Sequence, residues 1–247
     1  MNCLILAAGY GSRLRAVSES KPLTPVGGIP LIEHVIAAAR EAGAARFIIA
    51  TGHEADAVEA FLAALRTRLG LDLGWVRTPD WNRPNGLSVA AGAAAIDGDY
   101  LLLMSDHLFD PAIARRLMAR GTGGKAVTLA VDRRLTGPLL DVDDATKVEI
   151  AEDGAIVRIG KRLERYNAID TGLFLATPAL AEAIRGDVDA GGGGSLSEGV
   201  QRLADQGRAA TMDIGDSVWL DVDDPASLAL AEQLVRRGAG AVSHRAA

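Results

Sequence analysis

Apolar residues along this chain recur with two different periods, and those periods lay out its elements. A short apolar run at residues 4–8 has the length of a buried strand and stops at Gly9. Residues 30–42 carry Leu31, Ile32, Val35 and Ile36 at helical spacing, opened by Pro30 and closed by Gly43. Arg46–Thr51 reads as a second buried strand, residues 54–69 as a second amphipathic helix closed by Gly70, and residues 71–77 as a third strand. Strands and helices alternating through short links predict a parallel sheet with helices on both faces, whose ligands collect beyond the carboxyl ends of the strands.

Residues 78–86 are polar and loop-like, residues 87–96 form an Ala-rich helix, and the strongly apolar strand Tyr100–Met104 runs into Ser105-Asp106-His107. A helix at Pro111–Arg120 and a strand at 125–131 follow. From Lys147 the period becomes two, and residues 148–150 and 156–159 flank Glu152-Asp-Gly154 as a β-hairpin. Beyond it the pattern predicts strands at 168–176, 209–213 and 217–220 and helices at 178–184, 196–206 and 224–237, the last capped by Asp224-Pro225. Residues 187–194, with four consecutive glycines, predict a mobile loop, and residues 238–247 a frayed tail.

At 247 residues and 49% apolar, the chain is long enough for one large α/β domain with a sizeable core. Lys plus Arg number 26 against 32 for Asp plus Glu, a net charge of −6 without a long basic run. That balance excludes nucleic acid as the main partner, and anionic substrates would be met by a local cationic pocket. Cys3 lies inside the first apolar run, the place of a small buried hydrophobe, and one cysteine allows no internal disulfide. No apolar run reaches ~18 residues, so no membrane span is expected. The first strand begins at residue 2 with no leader before it, and the expectation is a soluble, cytoplasmic protein.

The candidate chemistry centres on the break after the first strand. Gly9 and Gly11 permit a loop whose N–H groups face a polyphosphate, and Arg13 and Lys21 add two cations beside it. A dinucleotide fingerprint would need a third glycine where Leu14 stands, and a P-loop would need Gly-Lys-Ser/Thr after four residues. Neither is present. Mg²⁺ takes one or two carboxylates and keeps several waters, a demand met by Asp106 at one strand end and Asp221 or Asp223 at another. The similar acidic run at 141–144 has no strand-end position and reads as a solvated loop. No His and Cys cluster has zinc spacing, and His34 and His53 read as structural.

The run Leu6-Ala-Ala-Gly-Tyr-Gly-Ser-Arg-Leu14, with Lys21-Pro-Leu23 downstream, resembles the signature of nucleotidyltransferases that join an NTP to a phosphorylated metabolite with loss of pyrophosphate. Met104-Ser-Asp-His107, Ile159-Gly-Lys161, Asn167-Ala-Ile-Asp-Thr-Gly172 and Trp219-Leu-Asp-Val-Asp223 follow in that family's order, so the resemblance covers nearly the whole chain. Within the family, Asn85-Gly-Leu-Ser88 together with Ser105-Asp-His107 most resembles the CTP:inositol-1-phosphate cytidylyltransferases.

The resemblance implies a three-layer Rossmann-like α/β fold with a mixed, mostly parallel sheet and a small β-hairpin insertion, as a single nucleotidyltransferase domain over residues 1–237. It implies Mg²⁺-dependent cytidylyl transfer from CTP to inositol 1-phosphate, giving CDP-inositol and pyrophosphate. Leu6, Ala7, Ala8, Gly9, Gly11 and Ser12 would bind the nucleotide. Arg13 would serve its β and γ phosphates, Lys21 its α-phosphate, and Lys161 the acceptor phosphate, so these three are the catalytic candidates. Asp106 and Asp221 take the positions of the metal acids, with Asp223 on the same side of an extended segment. Asn85, Gly86 and Ser88 would face cytosine, Asp170 and Thr171 the acceptor hydroxyls, and His107 would shape the acceptor site.

Two features narrow the acceptor. Gly160 replaces a glutamate that bonds sugar hydroxyls, and the base-binding Pro-x-Gly-Leu segment carries Asn85 at its variable position, as Pro84-Asn-Gly-Leu87, a form matching the cytidylyltransferases. Phosphonate, phosphocholine or sugar 1-phosphate acceptors are the alternatives, and ten aromatic residues, none clustered near Lys161, speak against a choline cage. A non-catalytic nucleotide sensor would be expected to have lost Arg13, Lys21 or Asp106. The resemblance leaves room for a homodimer.

Overall fold

The computed structural model describes residues 1–15, 17–78, 80–137 and 139–237; the expected frayed tail at 238–247 lies outside them. Strand β1 (Asn2–Ala7) leads through two short turns and the small ribbon β2 (Pro25–Val26) and β3 (Ile29–Pro30) into helix α1 (Leu31–Ala42). Then come β4 (Arg46–Thr51), α2 (Ala55–Leu69), β5 (Asp72–Arg77), α3 (Gly86–Ala93), β6 (Tyr100–Met104), β7 (His107–Phe109), α4 (Pro111–Arg120) and β8 (Val127–Asp132). The second half adds β9 (Lys147–Ile150), β10 (Ile156–Gly160), β11 (Ala168–Ala176), α5 (Ala179–Asp189), α6 (Leu196–Ala204), β12 (Ala209–Asp213), β13 (Trp219–Asp221) and α7 (Pro225–Arg236).

The apolar rhythm placed these elements because each must bury a face. Along β1, Cys3, Ile5 and Ala7 join one core with α1, α2 and α4, while Leu4 and Leu6 join the opposite core with α3, α5 and α6. Both cores hold fully buried Leu and Ile side chains, each worth roughly 1.5–3 kcal/mol in transfer from water. A third cluster, built on Leu14, Val26, Leu31, Leu220 and Val222, seats α7 against the turns that follow β1. No helix among the described residues is long and apolar enough to cross a membrane.

β5, β4, β1 and β6 are mutually parallel, and β11 pairs antiparallel with β6. β8 lies antiparallel to β11 and parallel to β12, so the sheet is mixed and mostly parallel. The expected hairpin, β9 with β10, pairs through Ala168 and Ile169 at the start of β11. A separate ribbon of β13 against β7 stands off the main sheet at the end of β6, with Asp221 opposite His107.

The expected mobile loop at 187–194 is instead a folded connection. Helix α5 runs on to Asp189, the Asp187 carboxylate accepts from Gly194 N at 3.0 Å, and the Glu198 carboxylate from Gly193 N at 3.3 Å. Side-chain acceptors at both ends offset the entropy cost of ordering the glycines.

Candidate active site

The chain leaves β1 into the glycine loop. Gly11 holds φ 60°, and a Cβ there would stand 2.5 Å from Cβ of Lys21, so glycine is required by both torsion and space. That close approach lets the turn Ser12–Leu14 present Arg13 while the turn Lys21–Leu23 brings Lys21 back beneath it. Buried Leu14 and Pro22 pin the two turns.

Lys21 is 9% exposed, and its ammonium is paired with the carboxylates of Asp106 and Asp223 and lies 3.9 Å from Oδ1 of Asp221. The β7–β13 ribbon explains why acids so distant in sequence meet: Val222 N donates to the Asp106 carbonyl at 3.0 Å, which sets Asp221 beside Asp106. Asp223, two residues on, also accepts from Arg13 at 2.5 Å.

His107 stands behind this group. Its Nδ1 donates to the Thr171 carbonyl at 2.8 Å, and its Nε2 faces Asp221 at 3.4 Å and Asp106 at 3.7 Å. Burial alone would lower its pKa, but the two carboxylates outweigh burial and push it up to about 9. Burial likewise opposes the ionised form of Asp221, yet His107, Lys21 and Arg13 hold it down to about 2. The protonated ring is thus favoured, with Nε2 turned toward Asp221.

Two adjoining cavities open on either side of these acids. One, of about 350 Å³, is lined by Leu6, Ala8, Gly9, Gly11, Ser12, Lys21, Ser88 and Asp106. The other, of about 320 Å³, is lined by His107, Asp144, Lys161, Asp170 and Asp221. Arg13, Asn85 and Asp223 line both. The loop cations and strand-end acids named from the sequence thus converge on one place, with Lys161 across the second cavity.

Four expectations need correction. Thr171 is fully buried and its Oγ1 donates to the Ala130 carbonyl at 2.8 Å, so its hydroxyl is spent inside the sheet. Ordinary alternation along β11 puts Asp170, Gly172 and Phe174 on the cavity side and Thr171 on the other. Ala7 is buried in β1 and does not line the cavity. Gly86 also lies behind the lining; a Cβ there would collide with the carbonyl of Gly194, so this glycine lets the 194–196 segment approach. Asn85 does line the cavity, but its side-chain oxygen accepts from Leu196 N at 3.0 Å, which fixes the side chain. Asp144, read as solvated, bridges Arg13 and Lys161.

Trp81 and Arg83 also line the first cavity, and nothing in the local pattern marked them. Trp81 stacks on Tyr10 at 5.9 Å and meets His53 edge-on at 4.9 Å. Aromatic spacing in the sequence gave no hint, because the three rings come from three separate loops.

The acids suit a divalent cation. Ligand atoms of Asp106, His107 and Asp221 lie within 4.8 Å of one another, and Oδ1 of Asp221 is buried with no hydrogen-bond partner. A buried carboxylate oxygen left without a partner is costly unless a cation meets it. With His107 serving as a donor, the ligands fitting Mg²⁺ are the oxygens of Asp106 and Asp221, a hard-oxygen set.

Residues 3–165 match the family model described as a MobA-like NTP transferase domain. The chain belongs to that family. As a MobA-like NTP transferase it is a nucleotidyltransferase, and its fold is Rossmann-like. It is 35% identical over 235 residues to a protein of Rubrobacter xylanophilus named bifunctional IPC transferase and DIPP synthase, covering 94% of this chain and 51% of that one. It is 31% identical over 242 residues to the CMP-5'-(3-aminopropyl)phosphonate synthase of Streptomyces rubellomurinus, covering 91% of this chain and 37% of that one. The solved inositol-1-phosphate CTP transferase from T. maritima superposes with a TM-score of 0.81 at 26% identity, over 95% of both chains. The chain spans about half the length of the first curated relatives it matches.

Proposed function

We propose that this chain transfers a cytidylyl group from CTP to inositol 1-phosphate, releasing pyrophosphate and giving CDP-inositol. The observation that supports this most is the likeness, over 95% of both chains, to a solved inositol-1-phosphate CTP transferase. The relatives named IPC transferase support it from sequence. The proposed location is the cytoplasm.

In this reading the first cavity takes CTP, with its triphosphate on the glycine loop and its base toward Asn85 and Ser88, and the second takes the acceptor. A phosphate oxygen of the acceptor attacks the α-phosphorus, and the bond from that phosphorus to the pyrophosphate oxygen breaks. The acceptor phosphate is already ionised, so no base is required. The barrier is the approach of two anions, and fixed positive charge lowers it. Lys21 lines the first cavity beside Asp106 and serves the α-phosphorus, where charge builds up. Arg13 serves the leaving pyrophosphate, Lys161 holds the acceptor phosphate, and Asp170 offers its carboxylate to acceptor hydroxyls. Asp106 and Asp221 would hold Mg²⁺, which supplies further positive charge to the triphosphate; Asp223 keeps Lys21 and Arg13 in place.

A second reading keeps the chemistry and changes the acceptor to a phosphonate, supported by the similarity to the aminopropylphosphonate enzyme. A pyrophosphate-release screen that crosses four NTPs with inositol 1-phosphate, phosphonates, phosphocholine and sugar 1-phosphates separates the two. Fastest release with CTP and inositol 1-phosphate is expected. Faster release with a phosphonate would shift the assignment to the second reading, and release with none would contradict both.

A further inference from the structure

One carboxylate stands between the two cations that the proposed reaction assigns to different substrates. Asp144 Oδ2 accepts from Arg13 Nη2 at 2.5 Å, and its Oδ1 accepts from Lys161 Nζ at 2.7 Å. Arg13 lines both cavities, whereas Lys161 and Asp144 line the acceptor side. The carboxylate therefore divides its oxygens between a nucleotide-side cation and an acceptor-side cation. When both substrates bind, the acceptor phosphate takes Lys161 and the nucleotide phosphates take Arg13, so both cations held by the carboxylate pass to phosphate. Carboxylate and phosphate cannot hold that place together.

The surroundings of Asp144 fit an occupant that leaves. It sits in the connection between β8 and β9, whose described residues form no helix or strand. Its side chain is 32% exposed, against 44% for Arg13 and 59% for Lys161, so no core packing holds it there. Its own N–H donates to Asp141 Oδ1 at 3.4 Å, and the next residue's, Ala145 N, to the Asp141 carbonyl at 2.9 Å; a side-chain rotation leaves both intact.

We propose that Asp144 is a displaceable stand-in for the acceptor phosphate and that it sets which anions enter the second cavity. The proposal rests on the reading of Arg13 and Lys161 as phosphate-binding cations. Without substrate, the carboxylate holds both cations in their working positions and neutralises them. A phosphate monoester, a dianion at neutral pH and above, brings more charge to the two cations than the carboxylate does and takes its place. A phosphodiester carries a single charge and competes poorly. The same exchange then helps release product: once the acceptor phosphate is joined to the cytidylyl group it keeps one negative charge, and Asp144 returns to the cations.

The test is calorimetric titration at about pH 8, above the second phosphate pKa, with methyl phosphate as the dianion and dimethyl phosphate as the monoanion. Wild type, Asp144→Asn, Asp144→Ser, Arg13→Ala and Lys161→Ala are compared. Removing a negative charge that competes for the same cations should tighten methyl phosphate binding roughly tenfold in both Asp144 variants. Dimethyl phosphate, facing the same competitor, should tighten by a similar factor from a weaker start, so its binding becomes measurable in the variants. If both Asp144 variants bind methyl phosphate no more tightly than wild type while Arg13→Ala and Lys161→Ala weaken it, the stand-in idea is wrong and the phosphate reading survives. If Arg13→Ala and Lys161→Ala leave binding unaltered, the phosphate reading falls, and the stand-in with it.

Discussion

His107 Nδ1 donates to the carbonyl oxygen of Thr171 at 2.8 Å, tying the ribbon that carries the acids to the break in β11. The contact depends on Gly172. This residue holds φ 76°, and a Cβ there would collide with the imidazole. Gly172→Ala should cost roughly 1–3 kcal/mol from the backbone torsion, before the collision is counted. Urea unfolding checks this, and turnover should fall as well because His107 is pushed against Asp221. Wild-type stability in this variant would mean that the His107 contact is loose.

Lys21→Met removes a buried cation from among three acids. Charge at the α-phosphorus grows toward the transition state, so turnover should drop roughly 10²–10³-fold, with a smaller change in the Michaelis constant for CTP. Without ligand the variant should melt earlier, since Asp106 and Asp223 lose their shared partner, and Mg²⁺ should restore part of the loss. Unchanged turnover with a raised Michaelis constant would limit Lys21 to ground-state binding.

Most of the fold was legible because its signals are local. Buried strands read as apolar runs, helices as 3.6-residue stripes, and caps such as Asp224-Pro225 need no partner beyond a few residues. Arg13, Lys21 and the strand-end acids were legible through the order of their motifs. Asp144 was not, because its partner Arg13 lies 131 residues away and its loop has no period. Thr171 is misplaced for a simpler reason: neighbours in a strand face opposite sides, and only Asp170 shares the side of Gly172 and Phe174, which line the cavity. The glycines at 191–194 suggested mobility, and what orders them is a pair of carboxylates whose reach composition does not show.

Asp170 gives a pH signature. Burial is the chief cause that raises its pKa from 3.8 to about 6, only partly opposed by the bond from Gly172 N. A carboxylate raised on folding penalises the native state once ionised. Its contribution is therefore unopposed below about pH 4 and is lost as pH rises through about 6. Asp170→Asn keeps an oxygen to accept from Gly172 and removes the penalty. Ligand-free Asp170→Asn should melt above wild type at about pH 8 and close to it at about pH 4, on the same reasoning. Equal melting differences at both values would show that Asp170 is well solvated.

The metal ligands can be checked without turnover. Asp221→Asn keeps its shape but loses the charge whose oxygen lacks a partner. With Mg²⁺ present, CTP affinity by calorimetry should fall about tenfold or more. With chelator present it should change little or rise, because an anion has been removed beside an anionic ligand. Equal affinities for both proteins in Mg²⁺ would remove Asp221 from the metal.

Phosphorus NMR of the protein with CTP, inositol 1-phosphate and Mg²⁺ tests the central claim most directly. The account predicts that the triphosphate and monoester signals decay together, while a pyrophosphate signal and a diphosphate diester signal grow in equal amounts. CTP persisting unchanged, or decaying while the inositol 1-phosphate signal stays constant, would contradict it.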